Sequence, residues 1–454
     1  MGVNEEERVT SWLLPELLWD GRTTRAGAAV AVRDGRIATV TEAGDVPRDA
    51  EAEGAVRRLP GWALMAAPVN AHSHAFQRAI RGATQTRPAG RPDADFWSWR
   101  EAMYAAVLDA DPEWIHAASL ACFREMRAAG WGSVGEFHYL HRDPEGRRYD
   151  DPLTLANVVV EAARTAGLSI TLLHVAYATA DVDGSPLDVR QRRFRCDSVD
   201  EVIADVEALA ARWRHDARVT VGLAPHSVRG VPVEWWRPLA EAAEAMDLPL
   251  HAHVSEQRRE VEACRAVHGC RPVELLDREG VLSPRFTAVH ATHLSDTEVE
   301  LLSASGARVC GCPSTERDLG DGVLPAHRLA AASVPLCLGS DSHTLLDPWE
   351  ELRLPEYHLR LVRERRVVLG VPEGELVRWA PGALRTATEE GGAALRTGAG
   401  RLVPGAPAEL VAIDLGDSAL AGVTAETFPE MLAVAGRAGL ARPVDLQSPP
   451  ASSA

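Results

Sequence analysis

Four short stretches of this chain concentrate side chains able to hold a metal ion or move a proton. They are His72-Ser73-His74, His251-Ala252-His253-Val254-Ser255-Glu256, His290-Ala291-Thr292-His293 and Gly339-Ser340-Asp341-Ser342-His343. On an extended segment, residues two apart point the same way, so His72 and His74 can present two imidazole nitrogens to one ion. A third histidine and a carboxylate would complete three nitrogens and an oxygen with room for water, a catalytic site of zinc or iron type. Asp341 supplies the carboxylate. In the second stretch His251 and His253 share a face and either could ligate. His253 is preferred, being nearer the end of its strand and nearer Glu256, which leaves His251 a structural role.

The elements that must position these groups follow from hydrophobic patterning. Eight short apolar runs, over residues 63–72, 132–138, 169–177, 219–226, 248–254, 286–290, 307–312 and 334–339, alternate with helix-like stretches such as 111–129, 152–166, 198–214 and 232–246. Strand and helix in alternation imply parallel pairing, and eight units imply a (β/α)8 barrel of the TIM type. No Gly-x-Gly-x-x-Gly turn follows the first run to suggest a dinucleotide fold. In such a barrel the active site lies at the C-terminal ends of the strands, where all four stretches fall. The flanks differ. Short alternating segments on either side of Asp34-Gly35 read as a hairpin, and residues 399–415 as a turn and a strand. The division expected is 1–60 and 399–442 as the two parts of one small β-domain, 61–398 as the barrel, and 443–454 as a Pro/Ser-rich tail without order.

Composition narrows the function classes. A net charge of −17 argues against nucleic-acid or anionic-membrane partners and requires placed arginines for any anionic substrate. No run is long and apolar enough to span a bilayer, and the acidic N-terminus does not read as a secretory signal, so a soluble, cytoplasmic protein is expected. Seven cysteines without a Cys-x-x-Cys pair indicate neither a disulfide framework nor a thiolate zinc site. All 48 basic residues are arginine, so no lysine can act as a base or a carbamylated bridge between metals.

Pro68-Val69-Asn70-Ala71-His72-Ser73-His74, His253-x-x-Glu256, His290 and Ser340-Asp341 together resemble the amidohydrolase superfamily in its cytosine-deaminase-like branch. Further blocks are similar to the formimidoylglutamate deiminase family within it: His74-Ala75-Phe76-Gln77-Arg78, Asp95-Phe96-Trp97-Ser98-Trp99-Arg100, Glu136-Phe137-His138-Tyr139, His226-Ser227-Val228-Arg229, and Leu319-Gly320-Asp321-Gly322. The resemblance implies one divalent ion per subunit on His72, His74, His253 and Asp341, with zinc expected first and iron or manganese compatible with the same ligands. The absence of lysine fits one ion, since the common binuclear sites of the superfamily use a carboxylated lysine.

The same resemblance implies hydrolysis of N-formimino-L-glutamate to N-formyl-L-glutamate and ammonia, in histidine degradation, by a homodimer. Asp341 would serve as ligand and base, Glu256 as proton shuttle and His290 as orienter of the attacking water. Gln77, Tyr139 and His226 would complete the pocket, with Arg100 and Arg229 as guanidinium partners for a dicarboxylate. Two other readings stand beside this one. A deaminase of aminated heterocycles would have little use for two arginines, and a non-catalytic barrel would be expected to lose metal ligands. The sequence departs from the family pattern at Arg317-Asp318, in the loop after the seventh run, and after Arg437, where the last strand reads poorly.

Overall fold

A computed structural model describes residues 11–87, 90 and 94–446. Eight parallel strands, each paired with the next along the chain, form the central sheet: β1 (Val69–Ser73), β2 (Ser133–His138), β3 (Ser169–Ala176), β4 (Val219–Pro225), β5 (Leu250–Val254), β6 (Phe286–His290), β7 (Arg308–Gly311) and β8 (Leu336–Leu338). Most of their residues are buried, as parallel strands covered by helices must be. The barrel closes through a bridge rather than a full ladder. Ser73 pairs with Asp341, and the amides of Ser340 and Asp341 both donate to the His72 carbonyl, at 3.1 and 3.0 Å.

The intervening helices start and stop on the expected chemistry. Asp111 accepts from the Trp114 amide at the head of helix Pro112–Ala129, which ends at Gly130 with φ of 105°. Ser198 caps Val199–Trp213 in the same way, through the Glu201 amide.

One expected run is divided between two sheets. Residues 63–66 end the strand Val56–Ala66 of a second sheet, and only from Val69 does the chain enter the barrel. The break falls at Ala67-Pro68, where proline has no amide for a ladder. This second sheet contains both chain ends. Leu410–Asp414 runs antiparallel to Val56–Ala66, which lies parallel to Ser11–Trp19, followed by the hairpin Ala28–Arg33 and Arg36–Glu42. Asp34 and Gly35 turn that hairpin with φ of 50° and 71°, the left-handed pair such a tight turn demands. After Arg437 the poor strand is three residues long, Ala441–Pro443, and pairs with Leu410–Asp414. The Val444 amide still donates to the Leu410 carbonyl, whereas the rest of the expected tail, 447–454, lies outside the described residues.

At the end of β8 the backbone passes so close to β1 that only glycine fits. A Cβ on Gly339 would stand 2.6 Å from the His72 Cβ and 2.8 Å from its carbonyl oxygen. Gly339→Ala is therefore expected to push His72 aside, costing about 1–3 kcal/mol by overpacking. Thermal denaturation and metal content, measured together, should both fall.

Candidate metal centre and active-site pocket

At the ends of β1, β5 and β8, three imidazoles and one carboxylate converge. Nε2 of His72 lies 3.1 Å from Nε2 of His74 and 3.1 Å from Nε2 of His253, and the remaining pair is 3.4 Å apart. Asp341 Oδ1 stands 3.5 and 3.3 Å from the nitrogens of His72 and His74. These spacings match the edge of a tetrahedron built on metal bonds of about 2.0–2.1 Å, which is roughly 3.3 Å. The protonation pattern agrees. His74 uses Nδ1 to donate to the Phe137 carbonyl at 2.9 Å, and His253 to the His226 carbonyl at 3.0 Å. Both Nε2 atoms therefore carry lone pairs that face one another inside a closed pocket. Burial, together with the neighbouring imidazoles, holds His253 well below its usual value and neutral. Lone pairs at such distances repel, and a divalent cation relieves the repulsion. Burial would raise the Asp341 carboxyl, but His72, His74 and the charge of His290 outweigh it and keep it ionised.

Of the two histidines in β5, His253 joins the cluster, whereas the fully buried His251 has its Nε2 3.0 Å from the Ala394 carbonyl.

Left-handed backbone marks the ends of β5, β6 and β8 beside the pocket. Ser255, His290, Ala291, Asp341 and His343 all have φ between 48° and 69°. Such conformations cost non-glycine residues about 1–3 kcal/mol each and persist only where surrounding bonds impose them. The bonds are visible behind Asp341. Asn70 donates to Ser340 Oγ at 2.6 Å, Ser340 Oγ bonds His343 Nδ1 at 2.9 Å, and His343 Nε2 bonds Ser73 Oγ at 3.1 Å. Ser73 then donates to Glu136, which also accepts the Ala75 amide at 2.7 Å. With His343 neutral, every hydroxyl proton in this chain has one acceptor, and β1, β2 and β8 are tied together. Glu136 is buried and pushed up to about 7, although Ser73 and Ala75 pull it down.

Beside the ligands stands His290, with Nε2 3.8 Å from both Glu256 Oε1 and Asp341 Oδ2, and Nδ1 3.4 Å from Glu316 Oε1. Burial would lower it, but Glu256, Glu316 and Asp341 raise it to about 10. A divalent cation beside Asp341 would oppose that rise. Arg229 Nη2 donates to Glu256 Oε2 at 2.8 Å, and its Nε lies 3.1 Å from Glu260 Oε2. Arg229 is thus already engaged by two buried carboxylates. Glu260, whose role the sequence did not disclose, accepts the Ser255 amide at 2.7 Å.

One pocket gathers His74, Gln77, Arg100, Tyr139, His226, Arg229, His253, Glu256, His290 and Asp341. Gln77 donates to the Tyr139 hydroxyl at 2.8 Å. Among the described residues no carboxylate pairs with Arg100, whose guanidinium lies 4.5 Å over the Trp97 ring and whose buried Nε has no partner. Two residues left without a role by the sequence fall elsewhere. Ser314 bonds the buried Glu351, and the exposed Asp318 accepts from Gln85 at 2.9 Å.

A barrel with a cation site of this composition at its strand ends defines a metal-dependent hydrolase. The Amidohydrolase family matches residues 63–439, and the chain belongs to that family. It is 38% identical to the formimidoylglutamate deiminase of Pseudomonas aeruginosa over 387 residues, covering 85% of this chain and 83% of that protein. It is 29% identical to an 8-oxoguanine deaminase of the same species, over 87% of this chain and 84% of that one. A crystal structure of an amidohydrolase from Brucella melitensis superposes with a TM-score of 0.85 at 32% identity, over 96% of this chain and 92% of the other.

The ligand assignment separates two neighbouring histidines experimentally. His253→Gln should lose most of its bound metal, whereas His251→Gln, which can still donate to Ala394, should retain about one equivalent per chain. Elemental analysis of the two purified variants decides it. Equal losses in both would contradict the assignment.

Proposed function

We propose that the protein hydrolyses N-formimino-L-glutamate to N-formyl-L-glutamate and ammonia, a step of histidine degradation. The observation that carries this reading is the pairing, in one pocket, of a three-histidine, one-aspartate cation site with the uncommitted guanidinium of Arg100. A ring deaminase has no need of such a group, whereas a dicarboxylate must find one in a chain of net charge −17. The similarity to a formimidoylglutamate deiminase supports the same choice.

A divalent cation held by His72, His74, His253 and Asp341, with zinc the first expectation, would lower the pKa of water to near ~7 and so supply hydroxide at neutral pH. The protein's own groups do the rest. Asp341, with Oδ2 turned toward His290, accepts the proton of the attacking water, and His290 fixes that water's orientation. Hydroxide adds to the HN=CH carbon while protonated Glu256 gives the terminal nitrogen its first proton. The proton taken by Asp341 then passes to that nitrogen as a second, the carbinol hydroxyl returns its proton to Glu256 as the C=O bond forms, and the C–N bond breaks to release ammonia. Arg229 occupies Glu256 Oε2 and so leaves Oε1 facing the reaction. Arg100 and Arg229 bind carboxylate, and Gln77, Tyr139 and His226 line the path between.

Incubation with N-formimino-L-glutamate, scored for ammonia and N-formylglutamate, tests the reading directly. Release no greater than that of Asp341→Ala would overturn it. Glu256→Gln should lower kcat by about 10²–10⁴ with metal content unchanged. Arg100→Gln should act mainly through KM, raising it by about 10–100-fold, the loss of one charge-assisted bond to a carboxylate.

A further inference from the structure

At the side of the pocket away from the cation, Tyr104 and Tyr177 place their hydroxyl oxygens 3.3 Å apart. Both residues are buried, Tyr104 on helix Phe96–Val107 one turn beyond Arg100, and Tyr177 just after β3. Behind them, Gln191 Nε2 lies 2.9 Å from the Tyr177 oxygen and 3.4 Å from that of Tyr104. The orientation of this amide is fixed, because its Oε1 accepts the Asp188 amide at 3.1 Å. Gln191 can therefore only donate toward the tyrosines.

Hydrogen counting then leaves a remainder. The two hydroxyls own two protons, and one is consumed between them. With Gln191 donating into the pair, no acceptor among the described residues takes the other. A buried O–H without an acceptor costs about 1–3 kcal/mol, so an acceptor entering the pocket at this point gains a hydrogen bond from the pair. Arg100 stands 5.5 Å from the Tyr104 ring, which puts a free cation beside the free donor. Burial, reinforced by Tyr177, raises Tyr104 well above its usual value, so the proton stays on at any working pH.

The position also fixes which end of a ligand arrives there. His253 contacts His226 ring to ring at 4.9 Å, and His226 contacts Tyr177 at 4.5 Å, so the hydroxyls lie two ring contacts from the cation site. The carbon attacked must sit at the cation, and the far carboxylate of a glutamate skeleton lies about 6 Å further along five single bonds.

We propose that Tyr104 and Tyr177, set by Gln191, form a specificity contact that donates a hydrogen bond to the distal carboxylate of the substrate beside Arg100. The assignment rests on the functional reading given above and adds a hydrogen-bond donor beside the charge of Arg100.

The test compares N-formimino-L-glutamate with N-formimino-L-norvaline, in which a methyl group that accepts no hydrogen bond stands in place of the distal carboxylate, on the metal-loaded wild type, Tyr104→Phe and Tyr177→Phe. The wild type is expected to prefer the glutamate derivative. In whichever variant removes the hydroxyl that faces the ligand, the ratio of kcat/KM values should fall by about 10-fold or more, through KM. A structural defect would lower both substrates alike and leave the ratio unmoved. An unchanged ratio in both variants, with the wild type active, overturns this assignment alone. A wild type that turns over neither substrate overturns the functional reading and this assignment with it. Gln191→Leu, which touches no ligand, should shift the ratio in the same direction by less.

Discussion

Three imidazole lone pairs and a carboxylate aimed at one buried point form an arrangement that repels itself without a cation. In the low dielectric of a barrel interior, like-signed dipoles 3.1–3.4 Å apart are costly, and most of what surrounds them is there to hold them in place. The left-handed residues at the strand ends, the glycine that lets β8 approach β1, and the bonded chain from Asn70 through His343 to Glu136 all restrain the same four side chains. For His74 and His253, carbonyls behind the rings fix ring orientation and hence the tautomer.

A second constraint is charge. Glu256, Glu260, Glu316, Asp321 and Asp341 crowd around His290, and burial followed by the charge of Glu256 pushes Asp321 up to about 9, so that it remains neutral at pH 7. Arg229 and His290 answer the ionised members. Among the described residues Arg100, in the same pocket, has no carboxylate partner. In a chain whose basic residues are all arginine, pairing with an anionic ligand falls to a planar fork suited to carboxylates.

Much of the barrel and of the four-residue cation site was legible in the sequence, because period-two patterning and strand-end position are local properties. His253 could be preferred to His251 for that reason alone. The division of the first run at Pro68 was also locally signalled, by a residue that cannot continue a ladder. What could not be read were contacts between residues far apart in the chain. Glu136 meets Ser73 across 63 positions and His343 meets Ser73 across 270, with no motif linking them. Arg229 offered a guanidinium for a substrate, yet its two buried carboxylate partners come from a different strand end and the helix that follows it. Tyr104, Tyr177 and Gln191 are far apart in the chain, and only the fold sets their polar atoms side by side.

The claim on which everything else depends is that one divalent ion occupies the point shared by His72, His74, His253 and Asp341. Crystals of the zinc-loaded protein, measured on both sides of the zinc absorption edge, address it without reference to any substrate. The account expects a single anomalous peak about 2.0–2.2 Å from the three Nε2 atoms and an Asp341 oxygen. Two peaks, or one peak displaced onto His290 and Cys312, would contradict it.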